Sequence, residues 1–333
     1  MGEKILEVKN LATSFKTERG VMKAIDGINF SANRNEILGI VGESGCGKSV
    51  TCQSILRLYD EKHMAKIEGQ VLLNGENILK FSEHQMEKIR GYSISMVFQD
   101  ALSALNPVMR IGDQIMEVIR LHHKGISKEE AKAQTLNILK LVGIPAYQER
   151  FRQYPHEMSG GMRQRIMIAI ALVCQPQILI ADEPTTALDV TIQAQIMNLI
   201  VKLKEKMGMS VLLITHDLAV VAETCDRVIV MYLGQIVEEA PVQELFQNPA
   251  HPYTRGMMMS IPVMAEEKKE RLYMIKGTVP LLNQIPKGCR FAPRCEFATE
   301  KCRQNMPELM ELKDGHRVRC FMAQGDTYES DRK

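Results

Sequence analysis

The sequence predicts an α/β protein with a parallel central sheet, and two observations carry that prediction. Short apolar runs, Ile37 to Val41, Ile178 to Ala181 and Val211 to Thr215, read as strands buried on both faces. Between them lie segments whose apolar residues recur every three or four positions, as on one face of a helix. The composition agrees: 333 residues, 45% of them apolar, carry a net charge of only +2, which is an ordinary globular balance.

These numbers also exclude classes of function. Near-neutral charge gives no blanket attraction to nucleic acid. The longest uncharged apolar stretch, Ile166 to Cys174, has nine residues, whereas a membrane-spanning helix needs about 20. The opening Met-Gly-Glu-Lys-Ile-Leu lacks the apolar core of a signal peptide. A cytoplasmic location is therefore expected, where the eight cysteines should be thiols rather than four disulfides.

Taken in order, Leu6 to Phe15 and Val21 to Phe30 alternate apolar and polar residues around the turn Lys16 to Gly20, which predicts an antiparallel hairpin. Ile37 to Val41 then leads into a glycine-rich turn. From Met109 to Leu141 the pattern becomes helical, with Ile111, Ile115, Val118 and Ile119 in phase and Leu136 and Leu139 later. It marks an inserted helical subdomain over about residues 100–175. Met162 to Val173, apolar throughout, predicts a buried helix. After Asp189 another helix follows from Ile192, Ile196, Leu199 and Leu203, with Gly208 placed to stop it. Near residue 250, prolines 249, 252, 262, 280, 286, 293 and 307 replace periodic segments. We place a boundary there, giving one domain over residues 1–255 and a small irregular domain with cysteines over residues 256–333.

Gly42-Glu43-Ser44-Gly45-Cys46-Gly47-Lys48-Ser49 fits G-x-x-x-x-G-K-[ST] between a predicted strand and helix, the context this phosphate-binding motif requires. Its glycines let consecutive backbone N–H groups, from Gly42, Ser44, Gly45, Cys46 and Gly47 through to Val50, curl around phosphate oxygens at a helix start. Lys48 supplies a charge to the β- and γ-phosphates and Ser49 a hydroxyl to Mg2+. Ile178 to Ala181 ends in Asp182 and Glu183. At the end of a parallel strand Asp182 can hold the magnesium ion and Glu183 can polarise an attacking water. A solvated strand end is the plain alternative.

Met158-Ser159-Gly160-Gly161-Met162-Arg163-Gln164-Arg165 places a capping Ser and two glycines before the apolar helix, a second helix start open to an anion. This stretch resembles the signature loop of ABC ATPases, with Met158 where Leu is usual. The remaining family motifs fall in order. Phe15 resembles the aromatic that stacks on adenine, Gln99 the Q-loop glutamine that also reaches Mg2+, Ala187-Leu188-Asp189 the D-loop, and His216 the switch histidine. Singly, Phe15 could be core, Gln99 a strand end and His216 a satisfied polar residue. The resemblance implies a P-loop NTPase (RecA-like) core with an antiparallel β subdomain and an inserted helical subdomain, acting on ATP with Mg2+. It also implies a sandwich in which the Lys48 loop of one subunit and the Ser159-Gly160-Gly161 loop of another grip one nucleotide, with Glu183 and His216 positioning water.

No heptad pattern and only one cassette are present, unlike chromosome-maintenance or ribosome-acting relatives. His251-Pro252-Tyr253-Thr254-Arg255 with Ser260-Ile261-Pro262, and Gly288-Cys289-Arg290-Phe291-Ala292-Pro293-Arg294-Cys295, resemble the C-terminal extension of ATPase subunits of dipeptide and oligopeptide importers. Gly161 to Ala169 resembles the D-type subunit, while Ala101 stands where Pro is usual after Gln99-Asp100. This implies peptide uptake from the cytoplasmic face of the membrane, with a heterologous F-type ATPase subunit, two transmembrane permease subunits and, indirectly, an extracytoplasmic binding protein as partners. Nucleic acid is not an expected partner. Import of nickel or small saccharides, or a soluble ABC ATPase acting on nucleic acid or ribosomes, stay open as alternatives.

Cys289, Cys295, Cys302 and Cys320 bring four thiols into the C-terminal region. No pair has the two-to-four-residue gap usual for structural zinc. Four thiolates also suit an iron-sulfur cluster, and the resemblance implies a 4Fe-4S cluster, since some members of this importer family carry one here. Zinc or four free thiols remain alternatives. Lys287 to Cys320 holds eight Lys/Arg against five Asp/Glu, an excess expected to favour thiolates.

Overall fold

In chain order the strands are β1 (Lys4–Thr17), β2 (Gly20–Asn33), β3 (Ile37–Val41), β4 (Ala65–Leu73), β5 (Glu76–Asn77) and β6 (Ile94–Val97). They continue with β7 (Ile178–Asp182), β8 (Ser210–Ile214), β9 (Arg227–Tyr232), β10 (Gln235–Pro241), β11 (Met310–Lys313) and β12 (His316–Val318). The structure is a computed structural model that describes residues 2–18, 20–61, 63–186, 188–260, 274–313 and 315–325. Ala187, Ile261 and Pro262 of the motifs above lie outside the described residues, as does the side chain of Ala101. The chain forms two compact units.

The first unit is built on Lys80–Ile214 with Met1–Ile5 and Ala32–Ile37. In it β6, β7 and β8 pair in parallel, with Val97 opposite Ala181 and Asp182 opposite Ile214. Every residue of these strands is buried, as continuous Ile/Leu/Val runs require when both sheet faces are covered. Between β6 and β7 the long elements are helical: Ile111–His122, Lys128–Leu141 and Gly160–Leu172. Ser127 and Glu130 form a reciprocal capping box on the second of these. The third begins at Gly160 rather than Met162, because the Ser159 hydroxyl accepts the Met162 N–H and so sets the first turn two residues earlier. Helix Val190–Met207 starts on Asp189, whose carboxylate accepts the Ile192 N–H at 3.0 Å, and stops at Gly208 in the left-handed conformation, φ 66°.

The second unit comprises Leu6–Ser31, Leu38–Leu79 and Thr215–Lys333. Strands β2, β1, β4 and β5 form an antiparallel sheet in that order, with β1 and β4 in register from Leu6↔Leu73 to Phe15↔Ala65 across one bulge. Elsewhere in this unit β3 lies parallel to β9, with Val41 opposite Val230, and β9 pairs antiparallel with β10. Beyond residue 256, two short strands emerge from the turn-rich segment: β12 pairs with β10, and β11 with β12. No described helix is long and apolar enough to cross a membrane.

Gly42 is where β3 turns into the phosphate motif. Its φ is 152°, and a Cβ there would lie 2.3 Å from the Met231 carbonyl oxygen, a backbone contact that cannot swing aside. Gly45, at φ 78°, faces open space. Gly42→Ala is therefore expected to destabilise the chain more than Gly45→Ala, which meets only the left-handed backbone penalty of about 1–2 kcal/mol. Urea midpoints of the two variants check this, and equal midpoints would remove the steric argument.

Candidate functional site

The phosphate motif forms a loop between β3 and helix Lys48–Ile55. Lys48 is 5% exposed. Its Nζ donates to the carbonyl oxygens of Gly42 at 2.8 Å and Glu43 at 3.1 Å, and lies 4.0 Å from Cys46 Sγ. The ammonium is thus held inside the loop by backbone acceptors. Cys46 is fully buried and burial pushes its thiol pKa up, so it packs as a small neutral side chain. Ser44 and Gly45 are exposed at the loop tip, and Ser49 and Val50 are half-buried in the first turn of the helix. Phe15 ends the β1–β4 register and meets Tyr59 edge to face, centroids 4.9 Å apart. Tyr59 is an aromatic neighbour that no motif pointed to.

In the other unit the register of β6 and β7 decides what meets at their ends. Val97 faces Ala181, so residues two further along each strand, Gln99 and Glu183, arrive together. Gln99 Nε2 donates to Glu183 Oε2 at 2.9 Å across 84 positions of sequence. Thr186 Oγ1 donates to the same oxygen at 3.0 Å, an anchor the sequence motifs missed although it lies three residues on. Glu183 itself sits at φ 46°, in the left-handed region, which a side-chain-bearing residue occupies at a cost of about 1–3 kcal/mol. Its N–H bonds the Ile214 carbonyl at 2.9 Å, so the strained turn is fixed from the next strand. Asp182, one residue earlier and 3% exposed, closes β7.

Gly160 and Gly161 also pack beside the segment that carries Asp189. A Cβ on Gly161 would lie 2.9 Å from Ile192 Cγ2, and one on Gly160 3.6 Å from Leu188 Cδ2. The second glycine therefore has a packing reason besides an exposed helix start. His216 is exposed after β8, in a short link between buried Thr215, whose hydroxyl accepts the Asp217 N–H, and Asp217, which caps helix Leu218–Thr224.

Cys289, Cys295, Cys302 and Cys320 all line one cavity of ≈430 Å³, with Phe291 and Phe297 among its walls. Burial pushes the thiol of Cys289 up to about 11 and that of Cys295 up to about 12, and raises Cys320 as well. This corrects the expectation that nearby basic residues favour thiolates. Two of those cations are engaged elsewhere: Arg290 with Asp26 and the Leu233 carbonyl, Arg294 with Glu43. Among the described residues, no group of three or more His, Cys, Asp or Glu side chains is gathered closely enough to hold a metal ion.

His251, also at this cavity, is 1% exposed, and its Nδ1 accepts the Tyr253 N–H at 3.0 Å to start helix Pro252–Met259. Burial, with Arg255 and Arg319 adding to it, lowers its pKa from 6.5 to about 3. The unfolded chain therefore binds this proton first as the pH falls. Stability contributed by neutral His251 is fully present above pH 6.5 and drains away towards pH 3. His251→Asn keeps a capping acceptor without the titration, so its urea midpoint should fall less steeply between pH 7 and pH 4 than that of the parent (about 6.5 being the ordinary histidine value). Parallel acid limbs would refute the assignment.

Residues 25–186 match the family model described as ABC transporter, and residues 237–302 match that of the oligopeptide/dipeptide transporter C-terminal region. The "Probable peptide ABC transporter ATP-binding protein y4tR" of Sinorhizobium fredii is 53% identical over 95% of this chain and 94% of its own length. The oligopeptide transport ATP-binding protein AppD of Bacillus subtilis is 49% identical over 96% of each. Among solved structures, a dimeric ATP-binding cassette in a post-hydrolysis state with ADP and Pi shares 29% identity and a TM-score of 0.64, covering 71% of this chain and 98% of that one. Both parts of the chain, cassette and C-terminal region, are thus matched within single relatives of nearly the same extent, and the chain belongs to the ABC transporter ATP-binding proteins.

Proposed function

We propose that this chain is the ATP-hydrolysing subunit of an importer of dipeptides and oligopeptides, docked peripherally on the cytoplasmic face of two transmembrane permease subunits. The observation that carries the reading is the oligopeptide/dipeptide-type C-terminal region joined to an ATPase cassette in relatives named for peptide transport. Residues 1–255 serve as the cassette and residues 256–333 as the extension. The second ATPase subunit is a heterologous F-type chain, in line with the D-type signature from Gly161 to Ala169.

In this reading the loop N–H groups from Gly42 to Val50 bind the phosphates, Phe15 takes the adenine, and Lys48 leaves its carbonyl partners for the β- and γ-phosphates. Ser49, Asp182 and Gln99 are the residues that would hold Mg2+, which neutralises charge on the phosphate oxygens. Glu183 accepts a proton from water as the water oxygen attacks the γ-phosphorus in line and ADP departs, while Gln99 and Thr186 orient its carboxylate. His216 positions the same water. Ser159, Gly160, Gly161 and Asp189 contact the nucleotide held by the partner subunit's loop.

As placed, the four cysteines are not gathered closely enough to hold a metal ion, so the reading of a 4Fe-4S cluster rather than zinc rests on their lining one cavity, their four soft donors, and the lack of the close pair that zinc sites use. Such a cluster would cross-link an extension with little core of its own.

Glu183→Gln in the assembled complex is expected to retain ATP binding while phosphate release and peptide uptake both fall by about 10²- to 10⁴-fold. Near-normal phosphate release would overturn the assignment of Glu183 as base. Protein purified anaerobically should contain stoichiometric iron and absorb broadly in the visible. Neither iron nor absorbance would remove the cluster and leave zinc or free thiols.

A further inference from the structure

Two side chains from beyond residue 250 end on a single residue of the phosphate loop, Glu43. Tyr253, fully buried, accepts the Glu43 N–H on its hydroxyl at 2.8 Å. Arg294, whose side chain is 5% exposed, grips the Glu43 carboxylate with both ends of its fork, Nη1 to Oε2 at 2.5 Å and Nη2 to Oε1 at 3.0 Å. Two parallel bonds of this kind fix orientation as well as charge.

Arg294 is itself immobilised. Its Nε donates to the Lys276 carbonyl at 3.0 Å, and its guanidinium carbon lies 5.8 Å from the Tyr232 ring centroid and 6.0 Å from that of Phe291. Those rings join Tyr253 in one aromatic cluster, with centroids 4.8 to 5.4 Å apart. The same platform thus carries both grips on Glu43.

Glu43 is held at a third atom, since its carbonyl accepts from Lys48 Nζ at 3.1 Å. It is also the only acidic residue between Gly42 and Val50. A carboxylate on a loop that must receive the phosphates of a nucleotide opposes binding unless it is neutralised and turned aside. Arg294 supplies the neutralising charge, and its fork together with the Tyr253 hydroxyl fixes where Glu43 points.

We propose that Arg294 and Tyr253 are positioning residues for nucleotide binding. Through Glu43, Arg294 of the C-terminal extension and Tyr253 just before it set the geometry and charge of the phosphate loop and hence its affinity for ATP. This rests on the reading that the loop binds ATP.

The test is a set of ATPase measurements on the assembled complex, comparing the parent with Arg294→Ala, Arg294→Lys, Tyr253→Phe and the double variant Glu43→Gln/Arg294→Ala. Arg294→Ala should raise KM for ATP on the order of ten-fold while kcat moves far less, because the carboxylate is left uncompensated beside the phosphates. Arg294→Lys, which keeps the charge but loses the fork, should recover part of the loss. The double variant should recover most of it, since the uncompensated charge is gone. Tyr253→Phe, which keeps the ring in place, should raise KM to a lesser degree and covers the case in which Arg294→Ala fails to fold. Unchanged KM in Arg294→Ala or, should that chain not fold, in Tyr253→Phe would overturn the proposal while leaving the ATP reading intact, as would a double variant no better than Arg294→Ala alone. A parent complex without saturable ATP binding would overturn both.

Discussion

The turn after β3 has to pass within contact distance of the Met231 backbone, and the loop built on that turn depends on it. Only a residue without a side chain fits at Gly42. From there the loop curls so that its own carbonyls, at Gly42 and Glu43, catch the Lys48 ammonium. A lysine this buried would otherwise carry a large desolvation penalty. The backbone acceptors offset it and keep the charge directed into the loop. The same curl exposes Ser44 and Gly45 at the tip and delivers Ser49 to the first turn of the helix. Gly42 is thus a record of a steric constraint first and of a ligand second.

A comparable economy governs the other unit. Parallel pairing of β6 with β7 places Gln99 and Glu183 level with each other, and one hydrogen bond closes the gap. Glu183 adopts a left-handed backbone that a glycine would occupy more readily. The strain is tolerated because the Ile214 carbonyl and Thr186 hydroxyl fix the turn from both sides. A carboxylate on such a backbone accords with the role proposed for Glu183.

Much of this was legible in the sequence because it is local. Buried strands announce themselves as apolar runs, Ser159 as a cap, Gly208 as a stop, and the phosphate motif as a fixed spacing. Other features depend on approaches between distant segments, which periodicity does not encode. Arg294 and Glu43 are 251 positions apart, and nothing in either neighbourhood marks them as partners. Strand β11 is exposed along its length, so it lacks the apolar alternation that would have revealed it. The four cysteines line one cavity, but burial raises the thiols of Cys289, Cys295 and Cys320 against the local charge count. That count treats every arginine as available, whereas Arg290 and Arg294 are directed at other acceptors.

The extension therefore connects to the ATPase chemistry through named contacts as well as through sequence. Peptide uptake driven by ATP is the central claim, and a complex reconstituted in sealed vesicles tests it most directly. With ATP on the side bearing this subunit, labelled dipeptide or oligopeptide should move across the membrane towards that side, and phosphate release should rise with peptide. Phosphate release without peptide movement, or release stimulated by RNA instead, would contradict the account.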